Sequence, residues 1–381
     1  MPLKGIRVLD LSRLLPGPFC TLILSDLGAD VVKVEDPNTG DYLRLIPPGG
    51  AFYALNRGKR SLALNLKKKE GRDVFLRLLP SFDVLVESFR PGVLDRLGLG
   101  YAELSSVHPN LILCSITGYG QDGPLKERAG HDIHYLALSG VLAAGGHPSG
   151  EPVLPGVQMA DLAGGGLWAA IRILAALHNK KGTHLDVSMT EGTMSFLLPW
   201  LGDFAFSGEP LRRGQNMLNG AAAFYNVYET QDKQHLAIGA IEPKFWSALC
   251  AAMGKTCDLN DLAAPSERQQ ELKKELQEKF GSKPLANWEN ELTAADTCVE
   301  PVLEMENLDS HPLHRHRKTF FTLQDAKKGP LNLLRLPLEH QPVLRPAPGH
   351  GEHTDEILAE NGLSSEEIEH LHKTNAIGAI Y

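Results

Sequence analysis

His131 and Asp161 are the residues whose types and settings point first to chemistry. His131 lies in Ala129-Gly130-His131-Asp132-Ile133-His134-Tyr135, after a loop rich in turn formers, Gly118-Tyr119-Gly120-Gln121-Asp122-Gly123-Pro124, and before an apolar run over 136–142. This pattern predicts a helix that opens at His131, where unpaired N–H groups face outward and would stabilise a negative oxygen. Asp161, in Met159-Ala160-Asp161-Leu162-Ala163-Gly164-Gly165-Gly166, precedes an apolar run over 167–177 and is expected at the mouth of a second helix. Two proton acceptors on two helix mouths describe one cleft suited to general acid–base work. The competing reading of each residue is an ordinary helix cap.

The segments around them alternate in type. Residues 6–10 read as a strand, 16–27 as a helix with Pro16 near its start and Gly28 at its end, and 31–35 as a second strand, which together make a βαβ unit. Its turn, Leu11-Ser12-Arg13-Leu14-Leu15-Pro16-Gly17-Pro18, lacks G-x-G-x-x-G, so a nicotinamide or flavin pyrophosphate loop is not predicted. Strands at 61–66, 83–87, 111–116 and 184–188, with a charged helix at 68–79 and helices near Ala137 and Leu167, continue the alternation. The fold class is therefore α/β, a Rossmann-like parallel sheet covered on both faces, with ligands beyond the carboxyl ends of its strands. This large domain is expected over 1–206, completed by 341–381, whose last helix opens on the capping box Ser364 to Glu367. A linker at 207–223, a smaller α+β domain at 224–335 and a Pro-rich second linker at 336–348 complete the division.

With 46 acidic against 38 basic residues among 381 and a net charge of −8, the chain does not suit a nucleic-acid or anionic membrane surface, which needs clustered Lys and Arg. A local basic pocket is still compatible with it. Arg57, Lys59, Arg60 and Lys67 surround the third strand, and Arg90 and Arg96 flank Pro91-Gly92 after the fourth. In loops bordering a parallel sheet they predict a phosphate-bearing ligand, with Phe89 against an adenine face. Five scattered cysteines without a C-x-x-C pair fit a reducing compartment, and the N-terminus has no signal-peptide profile, so a cytoplasmic location is expected. The apolar stretch 164–178 falls short of the ~20 residues a membrane span needs and carries Arg172, so it is expected to be a buried helix and no membrane insertion is predicted. Neither the His311, His314, His316 group, set among Arg315, Arg317 and Lys318, nor His131, His134 and Asp161 has the spacing of a catalytic zinc motif, and no metal is expected. No G-x-S-x-G elbow supports Ser–His–Asp hydrolysis.

Larger motifs now come together. Leu3-Lys4-Gly5-Ile6-Arg7-Val8-Leu9-Asp10-Leu11-Ser12 with Pro16-Gly17-Pro18, Leu27-Gly28-Ala29-Asp30-Val31-Val32-Lys33-Val34-Glu35, Gly58-Lys59-Arg60-Ser61 and Glu87-Ser88-Phe89-Arg90-Pro91-Gly92 resemble the family III CoA transferases and their racemase relatives. The His131 segment, Arg213-Gly214-Gln215-Asn216-Met217-Leu218 and Gly239-Ala240-Ile241-Glu242-Pro243 resemble the α-methylacyl-CoA racemase branch. The resemblance implies an interlocked homodimer whose active sites combine the large domain of one subunit with the small domain of the other. It implies His131 and Asp161 as catalytic bases, Glu242 as a neighbouring carboxylate, and no cofactor beyond the CoA of the substrate. It also implies acyl-CoA contacts at Leu64, Asn65, Leu66, Lys67, Ser88, Phe89, Arg90, Arg96, Gly130, Asp132, Ile133, His134 and Tyr135. Three departures stand out: Asp36 where racemases usually carry Arg, Asn219 where they carry Asp, and His134 where Asn is customary. The implied reaction is inversion of the α-carbon of a 2-methylacyl-CoA thioester, which needs a base on each face and a donor for the enolate oxygen, for which the Asp132 N–H is the candidate. The alternative is CoA transfer with Asp161 as the nucleophile that accepts the acyl group.

Overall fold

A computed structural model describes residues 1–293, 295–326, 328–339 and 341–378. Runs of Val, Leu and Ile form six strands, β1 (Arg7–Asp10), β2 (Asp30–Glu35), β3 (Arg60–Ala63), β4 (Val84–Glu87), β5 (Ile112–Thr117) and β6 (Thr183–Ser188). They pair in parallel in the order β3-β2-β1-β4-β5-β6. β3, β4 and β5 are buried along their whole length, because helices cover both faces. The order reverses between β1 and β4, so the loops that follow these two strands flank a crevice at the carboxyl edge.

One apolar core joins Leu9, Val32, Leu62, Phe75, Leu85 and Leu113 to Ile357, Leu358, Ile368 and Leu371 from the end of the chain. The returning segment is also held by backbone bonds: the His353 N–H donates to the Ser61 carbonyl at 3.0 Å, and the Asn65 N–H to the Ala376 carbonyl at 2.8 Å.

The chain divides into two compact units, the first made of Met1–Ser139, Pro155–Phe196 and Pro312 onward, the second of Gly140–Leu154 and Leu197–His311. The second unit packs a three-stranded antiparallel sheet, β7 (Tyr225–Glu229), β8 (His235–Gly239) and β9 (Val299–Pro301), against a core of Phe224, Trp246, Phe280 and Trp288. The hairpin of β10 (Phe320–Asp325) and β11 (Gly329–Leu334), expected in the small domain, belongs to the first unit. There Tyr53 donates its hydroxyl to Asp325 at 2.6 Å, and the Arg57 guanidinium lies 5.2 Å from the Phe321 ring centre.

A second difference touches the site. The helix expected after Gly164-Gly165-Gly166 starts before them: Ala160–Leu167 winds as a π-helix and continues as an α-helix over Trp168–Asn179. The glycines serve close packing here. A Cβ on Gly164 would lie 2.2 Å from the Thr193 hydroxyl, and one on Gly166 would lie 2.8 Å from the Pro16 carbonyl. The continuous helix is 20 residues long and, by length and composition, apolar enough to cross a membrane, longer than the sequence reading allowed. It packs Ala169, Ala170, Ile173 and Ala176 inward and carries Asp161 in its first turn.

Candidate active site

The loops at the carboxyl edge enclose a cleft of about 520 Å³. Arg13 and Leu14 enter it after β1, Ser88, Phe89 and Arg90 after β4, and Gly118, Tyr119, Gly130 and His131 after β5, while Asp161 and Tyr135 come from the two helices. His131 is the extended residue before the helix Asp132–Leu138, with φ −136° and ψ 173°. Its N–H donates to Nδ1 of His134 at 3.1 Å, so His134 caps the helix from inside. The Asp132 carboxylate accepts the Asp161 N–H at 2.9 Å and ties the two helix mouths together. His131 and Asp161 therefore face one cleft, as the spacing suggested.

Local packing explains the glycines of the motif. The chain at Gly130 passes between Tyr119 and Tyr135, whose rings meet edge to face at 5.3 Å, and a Cβ there would lie 2.6 Å from each. Burial, with a smaller push from the Asp132 charge, raises the Asp161 carboxyl to about 7. A carboxyl in that range exchanges its proton readily near neutral pH.

A smaller cavity of about 160 Å³ adjoins the cleft and shares Arg13, Phe89 and Val93 with it. Its walls include Val34, Leu64, Leu66 and Leu97, with Asp36 and Lys67 among its polar residues. The Asn65 side chain accepts the Lys67 N–H at 3.1 Å and so shapes the loop. Lys67 itself, 81% exposed, reaches to 3.6 Å from Asp36. Arg96 ends the short helix Val93–Arg96, is exposed and lines neither cavity, and Ile133 is exposed. Glu242 precedes the helix Pro243–Ala252 in the second unit.

Three cations read as ligand-binding are committed inside the protein. Arg57 donates to Asp26 at 2.6 Å, Arg60 to Asp30 and Glu360 at 2.7 Å each, and Lys59 to Asp10 at 3.1 Å. Lys59 is fully buried beside Lys33, which pairs with Asp41 at 2.8 Å. Burial pulls Lys59 down to about 8 against the attraction of Asp10. For Asp10 the balance goes the other way: burial opposes ionisation, but Lys33 and Lys59 prevail and hold it near 2. Sequence reasoning passed over Arg13, Tyr42 and Tyr119. The signal for Arg13 is its position in the first βα turn, where a cation stands at the carboxyl edge of the sheet.

The profile of CoA-transferase family III matches residues 3–354. The chain belongs to this family. The human alpha-methylacyl-CoA racemase is 40% identical over 99% of this chain and 98% of its own length. The human succinyl-CoA:glutarate CoA-transferase, also a relative, is 32% identical over 94% of this chain and 86% of its own. Among solved structures, a CAIB/BAIF family protein from Brucella suis superposes with a TM-score of 0.84 at 30% identity, covering 95% of this chain and 99% of that one. A family III enzyme of the CoA-transferase or racemase type accounts for the fold, the cleft and its position at the sheet edge.

Proposed function

We propose that this family III protein is a cofactor-independent racemase or epimerase that inverts the α-carbon of 2-methylacyl-CoA thioesters. The observation that carries the reading is the pair of bases on one cleft, His131 and Asp161, with the Asp161 carboxyl raised to about 7 by burial. One base removes the α-proton from one face, the enolate oxygen takes a hydrogen bond from the Asp132 N–H at the helix start, and the other base returns a proton to the opposite face. The CoA belongs to the substrate and no further cofactor takes part. The 40% identity to the human racemase supports this chemistry over acyl transfer.

In this reading the active unit is an interlocked homodimer, and Glu242 of the partner subunit stands beside the two bases. Apolar side chains left open on the helix Leu198–Ser207, with Leu198 72% and Phe206 96% exposed, support a subunit interface there. The second reading is CoA transfer. It draws support from the transferase relative and from the Asp161 carboxylate, which could take the acyl group.

One experiment separates the two. A single epimer of a 2-methylacyl-CoA, with no second acid present, should reach a mixture near equal epimers, and His131→Ala and Asp161→Asn should each abolish the conversion. An unchanged epimer ratio, together with CoA exchange onto an added carboxylic acid and an acyl group on Asp161 trapped by hydroxylamine, would establish the transferase.

A further inference from the structure

The 160 Å³ cavity and the 520 Å³ cleft meet at a neck, and Arg13 lines both. Its guanidinium carbon lies 5.0 Å from the centre of the Tyr42 ring and 5.0 Å from that of Phe89. Two aromatic neighbours at that distance attract a guanidinium and restrict a long side chain, and among the described residues its guanidinium N–H groups make no hydrogen bond within the protein.

The backbone beneath it is equally fixed. The Arg13 N–H donates to the Ser88 hydroxyl at 3.1 Å, Lys33 donates to the Ser12 carbonyl at 2.9 Å, and the Leu14 N–H donates to Asp41 at 3.1 Å. Leu14 has φ 64°, a strained value for a leucine, which these bonds sustain. The buried ions Asp10, Lys33, Asp41 and Lys59 thus act as positioning residues for the turn that carries Arg13.

Charge decides what Arg13 is for. Two cations line the smaller cavity, Arg13 and Lys67. Lys67 is shared with Asp36 at 3.6 Å, whereas among the described residues Arg13 enters no ion pair. A fixed guanidinium without a counter-charge, facing a cleft in an acidic protein, suits a phosphate group, whose oxygens match its fork geometry. Lys67 and Arg96 do not meet at either cavity, since Arg96 lines neither.

We propose that Arg13 binds the diphosphate of the CoA thioester at this neck, with the adenine in the apolar cavity and the pantetheine in the cleft. This rests on the CoA-thioester reading above. The diphosphate is the part of CoA that lies between adenosine and pantetheine, so it must cross the neck, while the ribose 3′-phosphate falls nearer Lys67.

The test is equilibrium binding to the full-length protein with three probes: CoA, 3′-dephospho-CoA and S-acyl-pantetheine, which lacks the diphosphate. Arg13→Ala should weaken CoA and 3′-dephospho-CoA by the same factor, about tenfold or more, with Arg13→Lys recovering part of the loss. S-acyl-pantetheine should be bound no more weakly by the variant than by wild type. Unchanged CoA affinity in Arg13→Ala would overturn the proposal. So would a loss seen with CoA but not with 3′-dephospho-CoA, which would assign Arg13 to the 3′-phosphate, or an equal loss with S-acyl-pantetheine, which would make its role structural. If Arg13→Ala does not fold, Arg13→Lys and Tyr42→Leu carry the same comparison. Wild-type binding of CoA without epimerisation would remove the racemase and leave this inference standing, whereas no CoA binding by wild type would remove both.

Discussion

At the scale of single residues, the tension in this protein lies in a carboxyl group kept out of water with only a weak reason to ionise. Burial raises Asp161 to about 7, and the nearby Asp132 charge adds to the shift in the same direction. Replacing Asp132 with Asn keeps an oxygen to accept the Asp161 N–H but deletes that negative charge. Asp161 should then ionise more easily, so the limb of the kcat/KM pH profile that reports it should move to lower pH in Asp132→Asn. A pH–rate series on the two proteins checks this, and a limb that stays in place would mean that another group sets it. Much of this scale was legible in the sequence: His131 and Asp161 stood out by residue type and by the turns and apolar runs around them. The capping role of His134 and the cation at Arg13 were not: His134 has the N3 spacing of a capping box but not its usual residue type, and Arg13 depends on two rings from distant loops.

At the scale of elements, the six strands and the helix after β1 were readable because apolar runs, Pro16 and Gly28 mark their limits, and the structure moves none of those limits by more than about three residues. The start of the Asp161 helix was not readable, since three consecutive glycines look like a breaker until their neighbours are known. Their reason is contact distance, and it makes a prediction. Gly164→Ala would drive a methyl group to within 2.2 Å of the Thr193 hydroxyl and 2.7 Å of the Met189 carbonyl, and a backbone atom cannot yield as a flexible side chain can. The variant should lose about 1–3 kcal/mol of stability by overpacking and lose activity through displacement of Asp161, three residues away. Thermal unfolding and steady-state rates would show both losses together. The buried quartet of Asp10, Lys33, Asp41 and Lys59 was hidden for a related reason: a cation such as Lys59 near the edge of a parallel sheet reads as ligand-binding until burial shows it paired inside.

At the scale of the whole molecule, the α/β class, the parallel sheet and the family could be read from the chain, while the division between units could not be read in full. The 320–334 hairpin has the composition of a small-domain element, and contacts such as the Tyr53 hydroxyl bond to Asp325 and the Arg57 guanidinium beside the Phe321 ring tie it to the first unit. The exposed Leu198 and Phe206 predict a dimer in solution, with activity lost on dilution below its dissociation range; sedimentation and rate measurements over the same concentrations check this, and a fully active monomer would contradict it. The central claim is that the molecule moves a proton and not an acyl group. Its most direct test is mass spectrometry of a single 2-methylacyl-CoA epimer incubated with the protein in heavy water. Proton transfer predicts one deuterium at the α-carbon, present in both epimers as the mixture approaches equality. Recovery of the starting thioester without α-deuterium, at saturating substrate and under conditions where CoA is exchanged between acids, would contradict it.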